Sequence, residues 1–499
     1  MLIQTNGRSG TLSLLALAAI VISGCGGTGM AVGHSPQPGS MFLYPERILL
    51  EDGGFATAER GMIFVPANRS DPTSAVIGVE VYRFRASETA DPSAPPLFRL
   101  FGGPNFQGLE GELSSLGYYE TQIKPFLDAA DFVVVGQRGI GSSKPTTLCE
   151  DPDPVSVDAT EGEWIAAQHE AARRCQSFWQ EWGLDLSGFT VLEAAADVND
   201  VRLALGYDKI QIWGGSFGSH WGMILMREYP DLVQRAVLRG LEGPDQTYDT
   251  PTGVLNALAA IGAAADTAQA LRGMIPEGGL LNAFKAVVER LEDKPERVTI
   301  QDPETGQPME VTVDADALRD IAVTPAPEWP ARVLALHRGD LSAAARRVVN
   351  SRRRPDYRTA SFFMLDCGSG ITPERDARYQ ADTAAAYVGV RDWRLRSNCE
   401  AWPSDLGNEF RQDFETDIPI VIVHGNWDTS TPLENALELE PYFTNSKLVL
   451  VEHGAHGALW QAMDAFPSFK RQIVEFFATG DMTNLPDTVT MPPIEWRLP

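Results

Sequence analysis

The segment Ile210-Gln-Ile-Trp-Gly-Gly-Ser-Phe-Gly-Ser-His220 breaks a short apolar run with Gly214-Gly215-Ser216-Phe217-Gly218, and the residues through Tyr229 have helical spacing. A strand, a sharp turn and a helix with serine at the apex is the setting of the G-x-S-x-G nucleophile turn. A serine hydroxyl attacks poorly at neutral pH unless a base activates it and the backbone holds it clear, and small flanking residues let the chain pack closely around such a turn. Ser216 is therefore the candidate nucleophile. A bare match to this pattern has little weight; the surrounding chain decides its meaning.

The chain has 499 residues, ordinary apolar content and moderate charge, enough for one large or two medium globular domains. Its 41 Lys and Arg stand against 67 Asp and Glu, a net charge of −26, which speaks against nucleic acid or an anionic membrane surface as a direct partner. The basic run Arg352-Arg353-Arg354 before Pro355 reads as a local helix-end or salt-bridging feature. At the N-terminus, Arg8 precedes an apolar run from Leu12 to Ile22. That run is shorter than the roughly 20 residues a membrane span needs and suits a signal-peptide core. Ile22-Ser23-Gly24-Cys25 resembles a bacterial lipobox, in which the cysteine is lipidated and opens the mature chain. The expectation is an exported protein of the cell envelope, anchored through Cys25 and touching the membrane only there.

Without Cys25, four cysteines remain in an oxidising compartment, which favours two disulfides over metal ligation. Three pairings are possible; Cys149–Cys175 and Cys367–Cys399 are preferred because each closes a local loop. No CxxC spacing points to zinc, and neither a metal nor an organic cofactor is expected.

Residues 1–24 read as the signal peptide and 25–40 as a linker. Arg60–Pro66, Val76–Arg85, Pro96–Phe101 and Asp131–Val135 read as strands, and Thr190–Leu205 as a helix stopped by Gly206. Val233–Arg239 supplies the strand after Ile210. From about residue 245 to 415 the pattern turns to Ala-rich helical segments without a convincing buried strand. Strands return at Ile418–Val423 and Lys447–Val451, followed by a helix over Phe466–Ala478. The expected architecture is a mostly parallel sheet built from 41–244 and 416–480, carrying a helical cap insertion at 245–415 and ending in a tail at 481–499.

Where a nucleophile turn is followed in chain order by an acid and a histidine, those partners lie on loops after the last strands. Ile420-Val-Ile-Val-His-Gly-Asn-Trp-Asp428 ends one apolar strand in Asp428, and Val449-Leu-Val-Glu-His-Gly-Ala-His-Gly457 ends the next in two histidines. Asp428 would hold the imidazole in one tautomer while the histidine takes and returns the Ser216 proton. Between the two, His456, flanked nearby by Gly454 and Gly457, is preferred as the base. His453 reads as a structural neighbour. The tetrahedral oxyanion needs backbone donors, and Phe217 and Gly103 are the candidates, with Gly102 beside the latter.

Four segments carry a family resemblance: Phe101-Gly102-Gly103-Pro104-Asn105, Gly136-Gln137-Arg138-Gly139-Ile140-Gly141-Ser142-Ser143, the turn at Ser216, and Gly425-Asn426-Trp427-Asp428-Thr429-Ser430-Thr431-Pro432. Together with Cys399-Glu400-Ala401-Trp402-Pro403 they resemble the proline iminopeptidase and tripeptidyl aminopeptidase group of α/β-hydrolases, from about Met41 to Ala478. The resemblance implies the α/β-hydrolase fold and a serine peptidase that recognises a free α-amine through carboxylates near the cap, for which Glu242 and Asp366 are candidates. Phe101, Asn105 and Gly136 depart from the family's histidine, glycine and aspartate, so substrate choice is less constrained than hydrolysis. The expected substrate is a small peptide or an ester. An aminopeptidase is the first reading and a carboxylic-ester hydrolase the second. A non-catalytic binding lipoprotein is disfavoured by the intact set of reactive residues. Oligomeric state is not legible in the sequence.

Overall fold

The computed structural model describes residues 36–105, 108–113, 117–319, 324–353, 359–389 and 397–498. The leader, Cys25 and most of the 25–40 linker lie outside them, as do Arg354 and Pro355. Among the described residues no helix is long and apolar enough to cross a membrane.

Ten strands form one sheet: β1 (Met41–Leu49), β2 (Phe55–Pro66), β3 (Val76–Phe84), β4 (Leu97–Leu100), β5 (Phe132–Val135), β6 (Ile210–Gly215), β7 (Val233–Arg239), β10 (Ile420–Gly425), β11 (Ser446–Glu452) and β12 (Thr488–Thr490). Their spatial order is β1-β2-β3-β5-β4-β6-β7-β10-β11-β12. The β1, β2, β3 and β5 neighbours pair antiparallel, and every pairing from β5 to β12 is parallel. A parallel sheet has to be covered on both faces, which is why its strands read as continuous apolar runs. In β6, Ile212 packs into one cluster with Val198, Trp221 and Leu238, while Trp213 packs into the opposite one with Phe126, Val237 and Phe477. The helix Val191–Leu205 covers the first face; Thr190 caps its N-terminus on the N–H of Glu193, and Gly206 ends it in the left-handed region at φ 78°.

Order along the sheet reverses around β4, which lies between β5 and β6. In open α/β sheets the crevice at such a point, at the carboxyl ends of the strands, is where ligands bind. The loops after β4, β6, β7, β10 and β11 all open at that end.

The segment 245–415 divides its packing. Helices Pro251–Thr267, Leu280–Asp293, Trp329–His337 and Ser342–Arg353 bury a third cluster around Phe284, Val288 and Trp329. The helix Ala360–Ser369 and Trp402 pack instead on the first cluster of the sheet. Beside the expected helices the insertion also holds a two-stranded antiparallel hairpin that the sequence reading did not name, β8 (Glu296–Gln301) and β9 (Pro308–Val313). Few residues of the hairpin are buried, so it lacks the apolar signal of the main strands. Its turn is held by Arg353, which makes two hydrogen bonds to Asp302 at 2.7 and 2.9 Å. Two further strands fell outside the reading: β1, interrupted by Pro45, Glu46 and Arg47, and the three-residue β12 in the expected tail.

Cys149–Cys175 and Cys367–Cys399 are both bonded, with Cα separations of 5.2 and 5.3 Å. Asp366 lies with the second pair in a cluster of possible metal-ligating atoms. Both sulfurs are consumed by the disulfide, which leaves no thiolates to bind an ion.

Candidate active site

Ser216 stands between β6 and the helix Phe217–Glu228 with φ 56° and ψ −135°, a strained conformation for a side-chain-bearing residue. Glycines make this turn possible. A Cβ on Gly214 would lie 2.4 Å from the Gly218 carbonyl oxygen, and one on Gly218 would lie 2.1 Å from that of Leu100. Phe217 is the first helical residue, so its backbone N–H has no intrahelical acceptor.

The loop after β4 closes over the serine. A Cβ on Gly102 would stand 2.9 Å from Ser216 Cβ and 3.4 Å from its Oγ, which sets Gly102 close against the serine side chain. Gly103 follows at φ 116°, where a Cβ would meet the Asn105 nitrogen at 1.9 Å. Gln137 is buried and donates through Nε2 to the carbonyls of Phe101 and Gly102, both at 3.1 Å, fixing which way these peptides face. Arg138, next to it, serves the scaffold, holding both carboxylate oxygens of Asp197 at 2.9 and 2.7 Å. At Gly136 a Cβ would come within 3.1 Å of Glu80 Cβ, so this glycine leaves room for the buried Glu80 opposite it on β3.

Asp428 and His456 are brought together at the ends of β10 and β11. His456 Nδ1 donates to Asp428 Oδ2 at 2.9 Å, with Oδ1 at 3.1 Å. Asp428 is 1% exposed and also accepts from the N–H groups of Ser430 and Thr431 and from Thr431 Oγ1. Burial works to raise its pKa, but the His456 charge and hydrogen bond, His424 and the Thr431 N–H outweigh that and hold the carboxyl well below its ordinary range. An ionised Asp428 keeps the proton on His456 Nδ1 and leaves Nε2 to accept one. Gly240, just after β7 at φ 51°, leaves room for the ring: a Cβ there would be 3.0 Å from His456 Cε1 and 2.8 Å from Thr431 Oγ1. β7 also touches Ser216, whose N–H donates to the Arg239 carbonyl at 3.1 Å.

The remaining histidines here make other contacts. His453, at φ 62°, donates its backbone N–H to Asn426 Oδ1 and packs its ring 4.7 Å from that of Trp427, joining the loops after β10 and β11. His424 is fully buried with Nε2 at 2.7 Å from the Thr431 carbonyl oxygen, and burial lowers its pKa. His220 is buried between the Gly243 carbonyl and Ser369 Oγ.

Glu242 lies in the loop after β7, its N–H bonded to Ser219 Oγ, which donates to the Ser216 carbonyl at 2.7 Å. Asp366 lies on the helix Ala360–Ser369 beside the Cys367–Cys399 disulfide. Both are half-buried, and the geometry does not single out either as an amine anchor. Sequence reading missed Thr431, Gly240, Gln137 and Arg239. Thr431 and Gln137 sit inside motifs already noted, while the contacts of Gly240 and Arg239 arise only from strand order.

A family model described as alpha/beta hydrolase fold matches residues 101–272, and one described as TAP-like protein matches residues 386–490. The first covers the loop after β4 and Ser216, the second Asp428 and His456. Serine protease Hip1 of Mycobacterium tuberculosis is 27% identical over 193 residues, 37% of this chain and 36% of its own. Tripeptidyl aminopeptidase of Streptomyces lividans is 26% identical over 198 residues, 37% of this chain and 36% of its own. Proline iminopeptidase of Neisseria gonorrhoeae is 24% identical over 162 residues, 32% and 37% respectively. The matches span little more than a third of the length of these relatives.

Proposed function

We propose that this chain, an α/β-hydrolase of the group that holds the tripeptidyl aminopeptidases and proline iminopeptidases, is an aminopeptidase that releases N-terminal residues or short peptides through an acyl-enzyme on Ser216. The observation that carries the reading is the Asp428–His456 hydrogen bond formed at the same sheet end as the strained Ser216 turn. His456 Nε2 takes the Ser216 proton as Oγ attacks the carbonyl, and the N–H groups of Phe217 and Gly103 receive the oxyanion. His456 then protonates the leaving amine, and water resolves the ester by the same path in reverse. Asp428 stays ionised and holds the imidazolium.

A carboxylate near the cap, Glu242 or Asp366, binds the substrate's α-ammonium. Part of the binding free energy then positions the scissile carbonyl, so a free amine raises kcat/KM. The test compares aminoacyl or short peptidyl arylamides with their N-acetyl counterparts. Free amines should be cleaved at least roughly tenfold faster, about 1.4 kcal/mol of transition-state stabilisation, and Glu242→Gln or Asp366→Asn should erase the preference. Equal rates on both, with much faster turnover of uncharged esters, would replace this reading with a carboxylic-ester hydrolase.

The protein acts outside the cytoplasm, anchored by a lipid on Cys25. The two disulfides support an oxidising compartment, and the apolar leader before Cys25 supports export. Cys25→Ser should release the protein from the membrane fraction; an unmodified cleaved N-terminus in mass spectra of the wild type would contradict the anchor.

A further inference from the structure

We propose that Arg239 is a positioning residue for acyl transfer, holding the His456 loop in register with the Ser216 turn from inside the sheet. This inference rests on the triad reading above. Arg239 ends β7, and its carbonyl accepts the Ser216 N–H. Its side chain runs beneath Gly215, where a Cβ would stand 2.6 Å from Arg239 Nε and 2.8 Å from Cζ. Nη1 reaches the His456 carbonyl oxygen at 2.7 Å, and the guanidinium lies 3.9 Å from the ring centre of Trp460, four residues beyond the base. The next residue, Gly240, abuts the imidazole itself. One side chain thus joins the nucleophile turn to the backbone of the base.

Stability alone is a poor account of it. Arg239 is 4% exposed, and among the described residues its side chain makes one hydrogen bond, to that carbonyl, while Nε meets no acceptor. Burial and the nearby Arg99 of β4 push the guanidinium down to about 9, against the pull of Asp428, Tyr118 and Glu112. Burying a cation that no described carboxylate bonds is costly to the fold, and an apolar side chain of similar length is often neutral or better for it. What the guanidinium supplies instead is geometry, in a reaction where a 1 Å misplacement costs about a hundredfold. It also places a positive charge against the backbone of His456, in the loop that carries the imidazole. Among the described residues, the Asp428 carboxylate bonds His456 and the buried His424 acts on it electrostatically.

The test uses the full chain with Arg239→Met and Arg239→Lys, reading kcat and KM on a short acyl p-nitrophenyl ester, melting temperature, and the pH dependence of fluorophosphonate inactivation. Arg239→Met should keep the wild-type melting temperature or exceed it, lose at least roughly tenfold in kcat with KM little changed, and move the acidic limb of the inactivation profile to higher pH, because the cation opposing the imidazolium is gone. Arg239→Lys should restore the position of that limb and part of kcat. Wild-type rates in Arg239→Met would overturn the proposal, as would a loss of rate that merely follows a fall in melting temperature with the limb unmoved. If Arg239→Met does not fold, Arg239→Lys decides: an unmoved limb with reduced kcat supports the proposal, and a wild-type kcat overturns it. Labelling that survives in Ser216→Ala would sink the triad reading itself, whatever the Arg239 variants do.

Discussion

Ser216 and His453 are the side-chain-bearing residues with positive φ among those described, and both end strands that open onto the site. Strain of this kind persists only where surrounding contacts over-determine it. At Ser216 those contacts are the Arg239 carbonyl behind and Gly102 in front; at His453 they are Asn426 and Trp427. The two histidines of the loop after β11 should therefore separate cleanly. His456→Ala should lower kcat by several orders of magnitude, as removal of a triad member does, and His453→Ala by far less; the reverse ranking would move the base to His453. Gly240→Ala carries a sharper prediction, since the added methyl meets both the imidazole and Thr431. It should cost roughly a hundredfold in kcat while the purified variant keeps its far-ultraviolet circular dichroism. Undiminished turnover would mean that the ring does not stand against β7 during catalysis.

At the scale of elements, the helix Phe217–Glu228 that follows Ser216 is tied to its surroundings by His220, which links it to the loop after β7 and to the helix Ala360–Ser369. Burial pushes this imidazole down to about 4 from its ordinary 6.5. In the unfolded chain it binds a proton below about pH 6.5, and in the folded chain only below about pH 4, so the unfolded state takes up more protons between those values. Stability should fall as pH drops through that window, by up to about 3 kcal/mol from this group, and change little from it above pH 7. Urea unfolding between pH 4.5 and 7 would show this, with a flatter dependence in His220→Gln; an identical slope in both would assign the acid sensitivity elsewhere. Each disulfide closes a loop, with sequence separations of 26 and 32 residues. Converting either pair to alanine should cost about 2–4 kcal/mol, read as a lower denaturation midpoint.

Across the whole molecule, the parallel half of the sheet was legible because strands buried on both faces must be apolar runs and must end in tight turns, as β6 and β10 do. That Ser216, Asp428 and His456 each follow a strand end was legible for the same reason. β1, β8, β9 and β12 were not, because half-exposed or very short strands need no apolar run, and Pro45 or the Asp302–Gly306 turn masks what alternation they have. Nor could the sequence place Arg239 beneath Gly215, since that contact depends on β7 lying beside β6. The tail shows the same limit: Trp496 packs with Trp427, next to the acid, and Arg497 bonds to Pro327 and Glu328 beyond the third cluster. The proposed chemistry requires Ser216 to be the nucleophile that this assembly activates. Its most direct test is peptide mass spectrometry of the intact protein after reaction with a fluorophosphonate, alongside Ser216→Ala. One stoichiometric adduct is expected, on Ser216, and none in the folded variant; an adduct elsewhere, or a folded wild-type protein that takes up no label, would exclude Ser216 from that role.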